Sequence, residues 1–171
     1  MTADLQISSA SMHQMLTVQI TGANTGVRAN VRFLYPITIN DNIVAVARYA
    51  IEALDLYIAN TSDIGHIPIE NIICIMLPDN QLTFTHCPDA NCITCGRALY
   101  VAVYYINSWL QLKLTFEQMV AVFLEELLHV AYCIIDETQV KHKVVEIMKY
   151  MSPSLDFDRL YNSIGGKVNF D

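Results

Sequence analysis

Apolar and polar residues alternate through residues 15–21 (MLTVQIT) and again through residues 27–35 (VRANVRFLY), the two-residue period of a β-strand. Between them, Gly22, Ala23, Asn24, Thr25 and Gly26 are rich in turn formers, so the pair reads as a hairpin. The period then changes. Asn40, Asp41 and Asn42 supply N-caps, and Ile43, Val46, Ala47, Ala50, Ile51, Leu54 and Ile58 make the apolar face of a helix over residues 42–59. Residues 60–70 read as a loop and residues 71–77 (NIICIML) as a buried strand. A short strand follows at 81–85, then an irregular cysteine-bearing loop over 87–96. The β-branched and aromatic run at 97–106 (RALYVAVYYI) is a further strand.

Two helices close the chain. Thr115 and Gln118 form a capping box that opens a helix to about residue 134. Asp136 and Gln139 open another to about residue 151, where Ser152-Pro153 ends it. The order β-β-α-β-β-β-α-α predicts an α+β fold: a mostly antiparallel twisted sheet packed against a long N-terminal helix and a second helix near the C-terminus. Residues 1–14 read as a flexible tail and residues 15–171 as one domain. No repeat or low-complexity segment interrupts them.

Composition narrows the class. Of 171 residues, 53% are hydrophobic and 16% charged, which supplies a real core and excludes a disordered chain. Net charge is −7 with ten Lys plus Arg, which argues against nucleic acid as a partner. No apolar run reaches the roughly 18 to 20 uncharged residues of a membrane span. The N-terminus lacks a basic, apolar signal, so a cytoplasmic protein without membrane association is expected. The odd cysteine count (Cys74, Cys87, Cys92, Cys95, Cys133) suggests reduced thiols or metal ligands rather than a disulfide framework.

The chemistry concentrates in residues 125–142, EELLHVAYCIIDETQVKH. At 100° per residue, Gln118, Glu125 and His129 share a narrow arc and Glu126 lies at its edge, while the rest of that helix is apolar. Unpaired buried charges cost several kcal/mol each. The stripe therefore faces a wet cleft or carries something positive, and a divalent metal satisfies both. Glu125 and His129, four residues apart, can ligate one ion. Glu126 would then stand beside it, placed to take a proton from bound water.

This arrangement resembles the zincin-like metallopeptidases, which carry His-Glu-x-x-His on a helix that follows a sheet-edge strand. Glu126 matches the family's base and His129 its second ligand; Glu125 stands where the first histidine belongs. The likeness covers roughly residues 97–150. It implies a third ligand from the following helix, Glu137 or Asp136, with His142 as a spare donor. It also implies a peptide or amide carbonyl as substrate, and zinc as cofactor. A Glu/His/Glu set is harder than usual and also suits manganese, iron or magnesium. The expected function is a metal-dependent hydrolase, active or degenerate; the alternative is a non-catalytic binding or adaptor domain with an unknown protein partner.

Plainer readings stand beside these. Glu125, Glu126 and His129 suit a solvated helix face, Asp136 an N-cap, and Glu137–Lys141 and Gln139–Lys143 surface pairs. One Glu-x-x-His also suggests a di-iron bundle, which would need two such motifs and four long helices. In the cysteine loop, Cys87, Cys92 and Cys95 have the spacing of a soft-metal knuckle, or of the first three ligands of an iron–sulfur cluster. The loop is the second possible metal site; a loop without metal, one holding structural zinc, and one with a cluster or a redox pair at Cys92/Cys95 are its readings. Cys74 and Cys133 read as buried small hydrophobes. Tyr104 reads as a strand residue with access to a cleft.

Overall fold

A computed structural model describes residues 15–34, 41–77, 92–94 and 97–162. The tail at 1–14, the short strand expected at 81–85, and Cys87 and Cys95 lie outside the described residues. The two N-terminal strands, β1 (Met15–Thr21) and β2 (Arg28–Leu34), form the expected antiparallel hairpin. Helix α1 (Asp41–Thr61) follows, then a 3-10 turn (Ile69–Asn71) and β3 (Ile72–Leu77). Strands β4 (Cys92–Thr94) and β5 (Arg97–Tyr105) lead into the short helix α2 (Ile106–Gln111). Helices α3 (Phe116–Tyr132) and α4 (Glu137–Met148) come next, followed by a wide π-type turn (Asp158–Asn162).

The α+β class holds, but the sheet is mixed rather than mostly antiparallel. Its order is β1-β2-β3-β5-β4, with β2, β3 and β5 mutually parallel and the two outer pairs antiparallel. The cause is the long helix between β2 and β3. A chain that crosses over through a helix returns in the same direction, whereas only a tight turn reverses it. Strand β3 carries the matching mark, an unbroken apolar run with no polar alternation, as expected of a central parallel strand.

The helices share one face of the sheet. Ile20, Ala29, Val31, Ile72, Cys74, Met76, Ala102 and Tyr104 point into it from four strands. Helices α1 and α3 supply Ile51, Leu54, Phe123, Leu124 and Leu127 against them. Tyr104 is buried: its ring stacks on Phe123 at 4.6 Å and its hydroxyl donates to the Phe123 carbonyl at 3.0 Å. It therefore faces the core and not a cleft. No single helix among the described residues is long and apolar enough to cross a membrane.

Two polar contacts tie the layers together. The hairpin turn closes over Asp55 of α1, which is buried. Its Oδ2 accepts from the Asn24 backbone N–H at 2.7 Å and side-chain amide at 2.8 Å. Its Oδ1 accepts from the Thr25 N–H at 2.8 Å and from the Thr25 hydroxyl. Gly22 makes this closure possible, since a Cβ there would lie 2.4 Å from the Asp55 Cγ. Close by on α1, Lys143 of α4 reaches the Tyr57 hydroxyl and the Asp63 carboxylate (2.7 Å), and lies over the Tyr57 and Tyr132 rings at 4.5 and 5.2 Å. Gln139 was the expected partner of Lys143; the ammonium instead joins three elements. Replacing Lys143 by alanine should cost about 2 kcal/mol, more than a solvated pair contributes, because it also strips the Tyr57 hydroxyl and Asp63 of their cation. Urea melts of the variant against wild type measure this directly.

Candidate functional site

The motif helix is set by its ends. Thr115 and Gln118 form the reciprocal capping box at its start, and the Gln118 amide also donates to the Leu160 carbonyl at 3.3 Å. Gln118 is therefore part of the core and not of the polar stripe. The helix stops at Tyr132, two residues early, because Cys133 turns left-handed (φ 54°). Cys133 is exposed, contrary to its reading as a buried small hydrophobe in a helix; Cys74 is buried as expected. Asp136 then caps α4, its Oδ1 accepting from the Gln139 N–H at 2.7 Å.

This turn brings His129 and Glu137 together. The His129 Nδ1 lies 2.5 Å from the Ile134 carbonyl oxygen. A carbonyl only accepts, so Nδ1 carries the proton and, in the neutral ring, Nε2 carries the lone pair. Nε2 faces the Glu137 Oε1 at 3.5 Å. A lone pair and a carboxylate at this distance repel unless a proton or a cation lies between them. Glu126 sits beside both. Burial by its neighbours raises its pKa; His129 counters part of the rise and Glu137 adds to it. Glu126 is nonetheless exposed, so solvent moderates this rise.

Glu125 takes a different course. The groups that act on it are Tyr161 of the π-type turn and Lys141 of α4, together with Glu126 and Glu137. Burial pushes its carboxyl up to about 7, against the lowering by Tyr161 and Lys141 and with the help of Glu126 and Glu137. Among the described residues the buried Tyr161 hydroxyl meets no partner at full hydrogen-bonding geometry, though it lies close enough to Glu125 to lower that carboxyl's pKa. A carboxyl whose folded pKa is raised stabilises the fold below its unfolded value, about 4.3, and that contribution is lost as pH rises through about 7. Glu125→Gln should therefore melt above wild type at about pH 8, with the difference closing toward about pH 4; thermal melts across that range test it.

The remaining expected ligands do not join the cluster. Asp136 is engaged as a cap. His142 is exposed and packs on Phe157 at 5.0 Å. Among the described residues, no three His, Cys, Asp or Glu side chains stand close enough to hold one ion. His129 and Glu137 thus fit a divalent cation in donor chemistry, with the imidazole oriented by a carbonyl as a metal-bound histidine is, and fall one ligand short in number. Of the cysteine loop only Cys92 is described, as the first residue of β4. Two open grooves lie elsewhere. One, of about 420 Å³, is lined by Arg48, Tyr49, Glu52 and Phe116; the other, of about 260 Å³, by Val27, Ile64, His66 and Pro68.

Sequence reasoning missed the Ile134 carbonyl and Tyr161. Backbone acceptors leave no mark in a residue pattern, and Tyr161 arrives from a turn without periodicity. Lys141 was legible only as a partner of Glu137. Compared with known protein families, with characterised proteins and with solved structures, the chain matches none.

Proposed function

We propose that this chain is a zincin-like protein with an altered hydrolytic site, in which Glu126, His129 and Glu137 form the working face and Glu125 does not. The observation that carries the reading is the His129 imidazole, anchored through Nδ1 with its bare Nε2 turned to the Glu137 carboxylate and Glu126 alongside. The order of elements agrees with it: the motif helix follows β5 through the short helix α2, and β4 covers only Arg97–Leu99 of β5. When bound, a divalent ion supplies Lewis acidity and lowers the pKa of a water molecule. The chain's own part is narrower. His129 and Glu137 offer a nitrogen and an oxygen donor, and Glu126, its proton affinity raised by burial, accepts a proton at its carboxylate. A peptide or amide carbonyl is the substrate class that the resemblance implies.

The test is cleavage of a mixed peptide-amide library by protein supplied with zinc or manganese. Cleavage that chelation abolishes is the expected result. Its absence with either metal would overturn the hydrolytic reading.

A second reading has its own support. Glu125, at the position of the missing first histidine, lies close enough to Lys141 and Tyr161 for both to lower its carboxyl pKa. This favours a scaffold retained for binding a protein partner, and predicts that Glu126→Gln changes nothing.

A further inference from the structure

The orientation of His129 depends on the helix end four residues later. The Ala131 carbonyl accepts from the His66 N–H at 2.8 Å and the Ile67 N–H at 3.0 Å, and the Tyr132 hydroxyl donates to the Asp63 carbonyl at 2.6 Å. Gly65 (φ 74°) lets that loop come close, since a Cβ there would lie 2.7 Å from the Ala131 oxygen. The end of α3 is thus fixed from outside. On the far side, Asp136 fixes the start of α4. Cys133, Ile134 and Ile135 alone join the two fixed ends, and Ile135 is 93% exposed.

Within this short link, Cys133 has left-handed backbone, a conformation unfavourable for a side-chain-bearing residue. Ser62 and Lys113 share it at other helix ends, but only Cys133 adjoins the acidic cluster. Its thiol makes one weak contact, to the Val130 carbonyl at 3.9 Å. The backbone reversal, not the sulfur, is what returns the Ile134 carbonyl to the His129 Nδ1.

We propose that Cys133 is a positioning residue: its left-handed turn latches the His129 imidazole in the Nδ1–H form, so that Nε2 is presented to Glu137 and to whatever electrophile or cation enters beside it. The inference rests on the working face proposed above, and it concerns the metal-free protein.

The experiment is ¹⁵N–¹H correlation spectroscopy of the histidine side chains in full-length, metal-free protein, at a pH where the rings are neutral. His129 is assigned by its loss in His129→Ala. The expected result is the Nδ1–H signature for His129 in wild type and in Cys133→Gly, where left-handed backbone is freely adopted. Loss of that signature is expected in Cys133→Val, whose β-branched side chain disfavours it. Cys133→Ala, which removes only the sulfur, should keep the wild-type signature and serves where the valine variant does not fold. An Nε2–H signature in wild type, an unchanged one in folded Cys133→Val, or a lost one in Cys133→Ala would each overturn the proposal. A latched ring in a protein that cleaves no peptide would leave this inference standing and sink the hydrolytic reading. An unlatched ring in a protein that does cleave would do the reverse.

Discussion

Asp55→Ala is expected to destabilise the protein by about 2 to 3 kcal/mol, a sizeable part of the stability of a domain this size. The carboxylate accepts four hydrogen bonds, two of them from backbone N–H groups of the hairpin turn. Alanine would remove the acceptor that these donors share; Asn24 and Thr25 are exposed, so water replaces part of what is lost. Asparagine keeps the shape but replaces one acceptor oxygen by a donor, so Asp55→Asn should fall between the two. The pH dependence follows from the same bonds. Burial alone would favour the neutral acid, but the donors of Thr25 and Asn24 outweigh it and hold Asp55 below the usual carboxylate range. A lowered folded pKa stabilises the fold above the unfolded value, about 3.9, and this is lost as pH falls through the folded one. The acid side of the stability curve should therefore be steep in wild type and shallower in Asp55→Asn; denaturant melts at descending pH measure it.

On the proposed hydrolytic reading, Glu126→Gln should lower peptide hydrolysis by about 10² to 10⁴-fold while leaving metal affinity and melting temperature close to wild type. The amide has the size of the carboxylate and cannot take a proton. Glu126 is exposed, so the change leaves no buried charge behind. Removing its negative charge should relieve some repulsion from Glu137, whose presence raises the Glu126 pKa. An unchanged cleavage rate would remove Glu126 from the reaction and favour the binding scaffold. Steady-state kinetics beside a zinc titration separate the two effects.

Local signals in the chain foretold local structure. Turn residues at 22–26 gave the hairpin, and Thr115 with Gln118 gave the start of α3 through a reciprocal bond that the sequence spells out. Parallel pairing was harder, because direction depends on the crossover through α1 and not on any strand's own residues. The Asp55 lock was invisible for a related reason: its partners lie 30 and 31 positions away, and an acid in an amphipathic helix ordinarily means a wet face. At the site, the resemblance pointed to a carboxylate on the following helix, and Glu137 is the one that meets His129. Helical spacing sets Glu125 near His129 on the arc; that Tyr161 and Lys141 from two later elements also act on it, spacing within one helix does not reveal.

That His129 and Glu137, not Glu125, present the donors for a divalent ion is tested most directly by calorimetric titration of zinc into metal-free wild type, His129→Ala, Glu137→Gln and Glu125→Gln. One site is expected in wild type, lost in His129→Ala and Glu137→Gln and kept in Glu125→Gln. No binding in wild type, or binding lost in Glu125→Gln and kept in Glu137→Gln, would contradict it.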